Sequence, residues 1–171
     1  GGIRYGSPMY AGGGGGGGRV AIRASSLDSN VTISAFGGAA GTYTVTSATS
    51  KSGLGAAGSV LTVLDDSKTL RHDNSPHDVD PRGGKVEIVA TEEMELDRLH
   101  VEDSVVAHSS NVSVSGTLLS KNTVWDTMAL VHANVIDVRN DSFWEVASVS
   151  ATTLLLDENS TIDGSDASLL R

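Results

Sequence analysis

The chain has 171 residues, of which 39% are hydrophobic and 4% are aromatic, and it contains no cysteine. The lack of cysteine excludes a disulfide framework and any metal site built on thiolates. The formal net charge is −9, and an acidic surface repels nucleic acid phosphates and anionic lipid headgroups, so neither nucleic acid binding nor membrane insertion is expected.

Glycine and charge are distributed unevenly along the chain. Residues 1–84 contain 18 of the 20 glycines and have a net charge of +1, whereas residues 85–171 have a net charge of −10. We expect these two halves to belong to one continuous solenoid. We also expect the chain to be a piece of a longer protein, because it starts at Gly1 without Met and ends in a strand-like segment, Leu169-Leu170-Arg171.

Residues 1–19 are a glycine-rich segment without a periodic apolar pattern. One interpretation is a flexible linker, since glycine loses more conformational freedom on ordering than any other residue. The other is a packed polyglycine II helix, whose backbone approaches its neighbours closely because Cβ atoms are absent. In that case the run would also be a packing surface for assembly. The run consists of Gly12, Gly13, Gly14, Gly15, Gly16, Gly17 and Gly18.

Residues 20–84 are predicted to be a glycine-rich region of β-strands. Four short segments alternate apolar with polar residues and are separated by Gly, Ser, Asp or Asn turns. The predicted strands are Arg19–Ile22, Val31–Ala35, Thr42–Thr46 and Ser59–Leu64.

About residues 1–74 carry a resemblance to a known family. The matching segments are Tyr5-Gly-Ser-Pro8, the glycine run, Arg19-Val-Ala-Ile22, Ser34-Ala-Phe-Gly-Gly38, Gly55-Ala-Ala-Gly-Ser-Val-Leu-Thr62 and Leu70-Arg-His-Asp-Asn74. Together they resemble the glycine-rich repeat of very large extracellular and surface proteins of algae, other protists and bacteria. They are similar to shaft proteins of the flagellar hairs, or mastigonemes, of stramenopiles. The resemblance implies an extracellular location and a following β-helix, and it supplies no catalytic residues to carry over.

Residues 65–84 are the longest polar stretch and are predicted to be a large loop. Carboxylates suit Ca²⁺ and imidazoles suit Zn²⁺, so this stretch contains four candidate metal ligands. Their spacing fits no EF-hand, calcium-binding nonapeptide or His-x-x-x-His pattern, which favours a solvated loop and no cofactor. The candidates are His72, Asp73, Asp78 and Asp80.

Residues 85–171 are predicted to form coils of about 19 residues. A polar corner returns four times, at Asp103, Asn122, Asp141 and Asn159, with spacings of 19, 19 and 18 residues. This period is too short for a pair of helices, and the alternation predicts three short strands in each repeat. Parallel strands with crossover connections are almost always right-handed, so we expect a right-handed parallel β-helix, that is, a β-solenoid. A β-sandwich would not repeat the same residue types at such constant spacing.

Residues one period apart should stack at about 4.8 Å, so the inward positions should form columns. In the last column Trp125 should lie on Trp144, and the corner residues should form a ladder in which acids alternate with amides. The predicted columns are Met94, Val112, Val131 and Val149; Leu96, Val114, Ala133 and Ala151; Leu99, Thr117, Ile136 and Leu154; Val101, Leu119, Val138 and Leu156; and Val106, Trp125, Trp144 and Ile162.

Four asparagines begin Asn-x-Ser/Thr sequons and are possible glycosylation sites if the protein is secreted by a eukaryote. At Asn159 this role competes with the ladder, because a stacked amide cannot carry a glycan. The four are Asn30, Asn111, Asn140 and Asn159.

The residues favour a structural role over catalysis. A polysaccharide lyase with this fold would need clustered carboxylates, or Ca²⁺ with a basic residue. We expect the three acidic candidates not to gather in one column and the two basic candidates to stand alone on theirs. We therefore expect a non-catalytic building block of an extracellular filament, flagellar hair or surface coat, assembled with other copies or related proteins. The alternative is an adhesin or glycan-binding module. The lyase candidates are Asp126, Asp137, Glu145, Arg98 and Arg139.

Overall fold

The computed structural model describes residues 14–39, 42–45, 48–51, 55–74, 86–88, 93–108, 110–126 and 130–167. Within these ranges every regular element is a β-strand, and most strands pair in parallel and stack as a β-solenoid of about three turns. The predicted all-β class and the solenoid are therefore confirmed, and the hand of the coil stays a prediction. The described residues include no helix that could cross a bilayer.

The described ranges contain eleven strands. They are β1 (Arg19–Ala24), β2 (Thr42–Val45), β3 (Ala48–Lys51), β4 (Gly58–Leu64), β5 (Ser67–Asp73), β6 (Val86–Ile88), β7 (Met94–His108), β8 (Val112–Asp126), β9 (Leu130–Arg139), β10 (Phe143–Leu156) and β11 (Thr161–Ala167).

Nine of these strands form one sheet in the order β1-β4-β5-β7-β8-β9-β10-β11, with β6 paired to β7. Strands β5 to β11 pair in parallel, as successive coils must. Strands β4 and β5 form an antiparallel hairpin, and β1 adds to β4 in parallel. Strands β2 and β3 form a separate antiparallel pair.

Three of the five predicted core columns are confirmed, namely those that begin at Met94, Leu96 and Val106. In the last of these, the rings of Trp125 and Trp144 stack with centroids 4.5 Å apart, and both side chains are fully buried. The predicted indole stack is therefore confirmed.

The other two columns are displaced by one residue in the second coil, because that coil contains one extra residue at a bulge. Leu118 and Ser120 face the core in place of the predicted Thr117 and Leu119. Gly116 lies at this bulge, where a Cβ atom would be 2.6 Å from the carbonyl oxygen of Asp97. The observed columns are Leu99, Leu118, Ile136 and Leu154, and Val101, Ser120, Val138 and Leu156.

The predicted loop 65–84 is wrong in its first part, because Ser67–Asp73 forms β5. Asp65 has a φ of 49°, a left-handed conformation that Asp tolerates better than most residues, and the chain reverses there to pair β5 with β4. Leu70 pairs with Leu99, and β5 thereby extends the core columns by one strand. The predicted strand Val31–Ala35 is also wrong, since residues 31–39 form no strand.

Candidate functional site

Three glycine-containing segments, residues 14–18, 35–38 and 55–59, lie side by side, and we call them the glycine bundle. Backbone hydrogen bonds join each segment to the other two, so the three segments surround a common axis. The donor and acceptor pairs are Gly38 N to Gly15 O (2.6 Å), Gly55 N to Gly38 O (2.9 Å), Gly58 N to Ala35 O (2.5 Å), Gly17 N to Ala56 O (2.8 Å) and Ser59 N to Gly18 O (3.0 Å).

The tight contacts in the bundle recur every third residue in two of its segments. A Cβ atom on Gly14 or Gly17 would lie closer than 3.0 Å to backbone atoms of both other segments, and Gly55 and Gly58 are equally confined. A period of three is that of a polyproline II-type helix. At residues 14–18 this contact pattern favours the packed polyglycine II interpretation. Gly12 and Gly13 lie outside the described residues.

The remaining glycines of the described run face open space. A Cβ atom on Gly15, Gly16 or Gly18 would meet no other atom within 4 Å. The predicted packing role therefore divides within the run, since the other segments leave no room for a side chain at Gly14 or Gly17 and leave room for one at Gly15, Gly16 and Gly18.

Asn74 joins the glycine bundle to the solenoid, a role that no sequence pattern indicates beyond its position after a strand. Its side-chain Oδ1 accepts a hydrogen bond from Gly37 N (2.7 Å), and its Nδ2 donates to Gly55 O (3.3 Å). Its own backbone N–H donates to the carbonyl of Glu102 in β7 (3.2 Å). Because Asn74 is buried, one side chain holds two bundle segments against the first coil.

The predicted metal candidates are only partly described. His72 is fully buried in the core column beside Val101, and its Nδ1 lies 3.2 Å from the Ser59 hydroxyl. Asp73 forms an ion pair with Arg71. Adjacent strand residues point to opposite faces, so His72 and Asp73 do not converge on one point. Asp78 and Asp80 lie outside the described residues, and among those that are described no group of three or more potential ligands could hold a metal ion.

The Asp/Asn corners adopt left-handed backbone conformations. Values of φ are 49° at Asp103 and Asn122, 57° at Asn140 and 59° at Asp141. This explains the residue choice, because Asp and Asn tolerate this region better than other non-glycine residues. Asn122 Nδ2 donates to Asp103 Oδ1 at 2.7 Å, as a ladder would require.

The ladder does not continue as a buried column in the later coils. Asp141 and Asn159 are both exposed. The corners of these coils are one residue longer than those of the first two, which moves the polar residue outward. The predicted conflict between stacking and glycosylation at Asn159 therefore does not arise.

Buried hydroxyl groups form a polar column that the sequence expectations do not include. Its members follow each corner and are buried, and hydrogen bonds link the last three of them. The backbone N of Thr123 donates to the Ser142 hydroxyl (3.2 Å), and the backbone N of Ser142 donates to the Ser160 hydroxyl (3.1 Å). The signal in the sequence was the Ser or Thr directly after every Asp/Asn. The column consists of Ser104, Thr123, Ser142 and Ser160.

Ionisable side chains contact one another on the outer face of the sheet. Glu102 forms an ion pair with Lys121 in the next coil, and His100 Nε2 lies 3.2 Å from Glu102 Oε2. Burial of Glu102 acts to raise its pKa, but the hydrogen bond and charge of Lys121, helped by His100, outweigh burial and hold the pKa below its usual value. The hydrogen bond to Glu102 in turn raises the pKa of Lys121.

The three acidic candidates do not gather in one column, as expected, although two of them do share one. Asp126, Glu145 and Asp163 are register partners in three successive coils, and all three are exposed. Asp137 is instead paired with Arg139, whose Nε and Nη2 donate to its two carboxylate oxygens at 2.6 and 2.7 Å. The hydrogen bond to Asp137 raises the pKa of Arg139.

All four sequon asparagines are exposed. Asn111 is partly engaged, since its Oδ1 accepts a hydrogen bond from the backbone of Leu130 at 3.1 Å. Glycosylation at these positions stays a prediction.

Several strand edges of the large sheet have no partner on one side among the described residues, including the outer edges of β6 and β11. Another is β1, which pairs with β4. A further one is the stretch 151–156 of β10, which pairs with β9, whereas β11 covers β10 no further than Val149. A groove of about 450 Å³, lined mainly by apolar residues such as Leu61, Leu70 and Met94, lies beside the β1 edge, with Arg19 at its wall.

Neither protein-family models, nor curated proteins, nor solved structures gave a match to this chain.

Proposed function

We propose that this chain is a non-catalytic building block of an extracellular filament, flagellar hair or surface coat. The observation that carries the proposal is that several strands of the sheet, among them β1 and residues 151–156 of β10, have an edge without a described partner. Such edges present rows of unpaired backbone donors and acceptors, which pair readily with another chain. A solenoid grows by adding coils, so repeating units suit an extended assembly.

The glycine bundle supports the same role. It is held together by backbone hydrogen bonds and by close contacts at Gly14 and Gly17. Segments of this kind make a stiff attachment beside the solenoid, and the resemblance of residues 1–74 to giant extracellular proteins agrees with an extracellular location.

The side-chain chemistry also fits a structural role. Asp137 is paired with Arg139, and the acids that share a column are exposed to solvent. Stability of the coil is instead served by buried hydroxyls and stacked indoles.

The test is the assembly state of the purified chain. Sedimentation velocity and negative-stain electron microscopy at increasing protein concentration should show elongated assemblies that grow with concentration. A chain that stays monomeric up to its solubility limit would contradict the proposal. Release of unsaturated sugars from acidic polysaccharides would identify a lyase instead.

A further inference from the structure

Two of the unpartnered edges, β1 and residues 151–156 of β10, lie on the same face of the solenoid. Following register partners from strand to strand leads from Leu155 in β10 through β9, β8, β7, β5 and β4 to Val20 in β1. Val20 and Leu155 are thus the two ends of one column, which has one residue in each of the strands β1, β4, β5, β7, β8, β9 and β10. A second copy displaced along this column would bring its β1 against β10 of the first. The column is Val20, Val60, Arg71, His100, Leu119, Asp137 and Leu155.

The β10 edge exposes apolar side chains that elsewhere in the sheet would be covered. Leu155 is 47% exposed and Leu156 is 46% exposed. Leu156 belongs to the core column of Val101, Ser120 and Val138, whose other members are buried between two neighbours. The exposure of Leu156 therefore arises because no described strand stacks on it.

The charges at the two edges are opposite. Strand β1 carries Arg19 and Arg23, both exposed, and no acidic residue. The turn that follows the β10 edge carries Asp157 and Glu158, and residues 151–164 include no Lys or Arg. Apolar contact at the centre and opposite charges at the rim favour association of unlike edges over association of two like edges.

We infer that the β1 edge of one copy pairs with residues 151–156 of β10 in a second copy. The inference rests on the proposed structural function and adds which surfaces join. Because β1 is parallel to β4, and β4 is antiparallel to β5, β1 runs opposite to β10. The added pairing is therefore antiparallel, with Val20 opposite Leu155, Ala21 opposite Leu154, and Arg19 next to Asp157 and Glu158. The contact joins two different surfaces, so it repeats as an open filament.

Disulfide trapping tests this register directly, because the chain has no cysteine of its own. Val20→Cys and Leu155→Cys, made as separate variants of the full chain, are mixed, oxidised and separated on a non-reducing gel. Directly opposite residues of an antiparallel pair have Cβ atoms about 4.5–5.5 Å apart, whereas diagonal neighbours are farther apart. The mixture should give a mixed dimer, and the double variant should give a ladder of covalent oligomers.

A matched pair checks the register. Ile22→Cys should cross-link to Thr153→Cys, which is two residues along each strand, and much less to Leu155→Cys. This second pair also keeps the test valid if one of the first variants folds poorly. Arg19→Glu should lower the yield of the mixed dimer, and Glu158→Arg in the other copy should restore part of it.

Each other outcome overturns the inference in a recognisable way. Dimers formed by Val20→Cys alone or by Leu155→Cys alone would show that like edges meet. Assemblies that give no cross-link at either pair would leave the proposed function standing and reject these edges as its interface. A strictly monomeric chain would reject both. Slow exchange in the monomer of those N–H groups of residues 151–156 that point away from β9 would show that the chain's own residues cover this edge.

Discussion

At the scale of single residues, the coil is fixed by polar groups that are buried and paired. Ser120 faces the core where its register partners are Val101 and Val138, and its hydroxyl accepts the hydrogen bond of Trp144 Nε1 at 2.9 Å. The same hydroxyl contacts Thr123 of the buried hydroxyl column. One side chain therefore links the indole stack to the corner of its coil.

Ser120→Ala should destabilise the fold by about 1–3 kcal/mol, because a buried indole N–H loses its acceptor. The measurement is urea unfolding followed by Trp fluorescence. Ser113→Ala is the matched control, since Ser113 lies on the outer side of the same strand and its loss should be near neutral. Equal effects of the two changes would contradict the role given to Ser120.

Like charges stacked in adjacent strands repel each other, and Asp126, Glu145 and Asp163 form such a column. Glu145→Lys should therefore stabilise the chain by about 0.5 kcal/mol at low salt, because it places a positive charge between two carboxylates. Glu158→Lys, in an exposed turn, is the control for the change in net charge. A gain that is equal in both variants would assign the effect to net charge alone.

The Glu102–Lys121 pair predicts a defined dependence of stability on pH. The native pKa of Glu102 is lower than its unfolded pKa, so its contribution is present above the unfolded value and is lost as pH falls through the native one. Lys121→Gln should be less stable than the parent chain at neutral pH, and the difference should shrink on acidification. Urea unfolding at a series of pH values measures it, with the exposed Arg98→Gln as control. A difference independent of pH would refute this assignment.

The sequence predicted the residues whose spacing stays constant, and it failed where two irregularities compensate. The Trp125–Trp144 stack was predicted because each coil from Val106 to Trp144 has the same length. The inward position of Ser120 was missed because the extra residue at Gly116 is balanced by a shorter corner after it. The number of residues from one Asp/Asn corner to the next cannot reveal two changes in length that cancel each other.

At the scale of elements, the glycine bundle divides a uniform run of glycines into two kinds of position. Gly14→Ala should disrupt the bundle, because its Cβ atom would meet backbone atoms of Gly38 and Gly55 that cannot move aside easily. Gly16→Ala is the matched control. Its Cβ atom meets open space, and the change should be neutral or stabilise by about 0.4–1 kcal/mol through the unfolded chain.

Amide exchange of Gly17, Gly38 and Gly58 measures the effect on the bundle, since the backbone N–H groups of these residues donate the hydrogen bonds between segments. Exchange should accelerate in Gly14→Ala and stay unchanged in Gly16→Ala. Rapid exchange already in the parent chain would favour the linker interpretation of this run.

Strand β5 shows why composition misleads at this scale. Its sequence, Ser67–Asp73, is mostly polar, and polar stretches with several Asp residues are typical of loops. The stretch forms a strand because Leu70 and His72 are buried on one side of it and because the chain turns at Asp65. A strand at this position covers the first coil. The prediction of a loop ignored the alternation within the stretch.

At the scale of the whole molecule, the two edges of the described solenoid carry different side chains. One end presents two arginines on β1, and the other presents leucines beside Asp157 and Glu158. Seven strands make up the shared face from one edge to the other, namely β1, β4, β5, β7, β8, β9 and β10. At about 4.8 Å for each strand, one copy contributes about 34 Å to the length of a stack.

The axial repeat of assembled material tests the central claim most directly. Cryo-electron microscopy or fibre diffraction of the purified chain should give a subunit rise of about 34 Å along the filament, together with the 4.8 Å spacing of strands perpendicular to its axis. A rise that is not close to this value, or strands that run along the filament axis, would contradict end-to-end stacking of the solenoid.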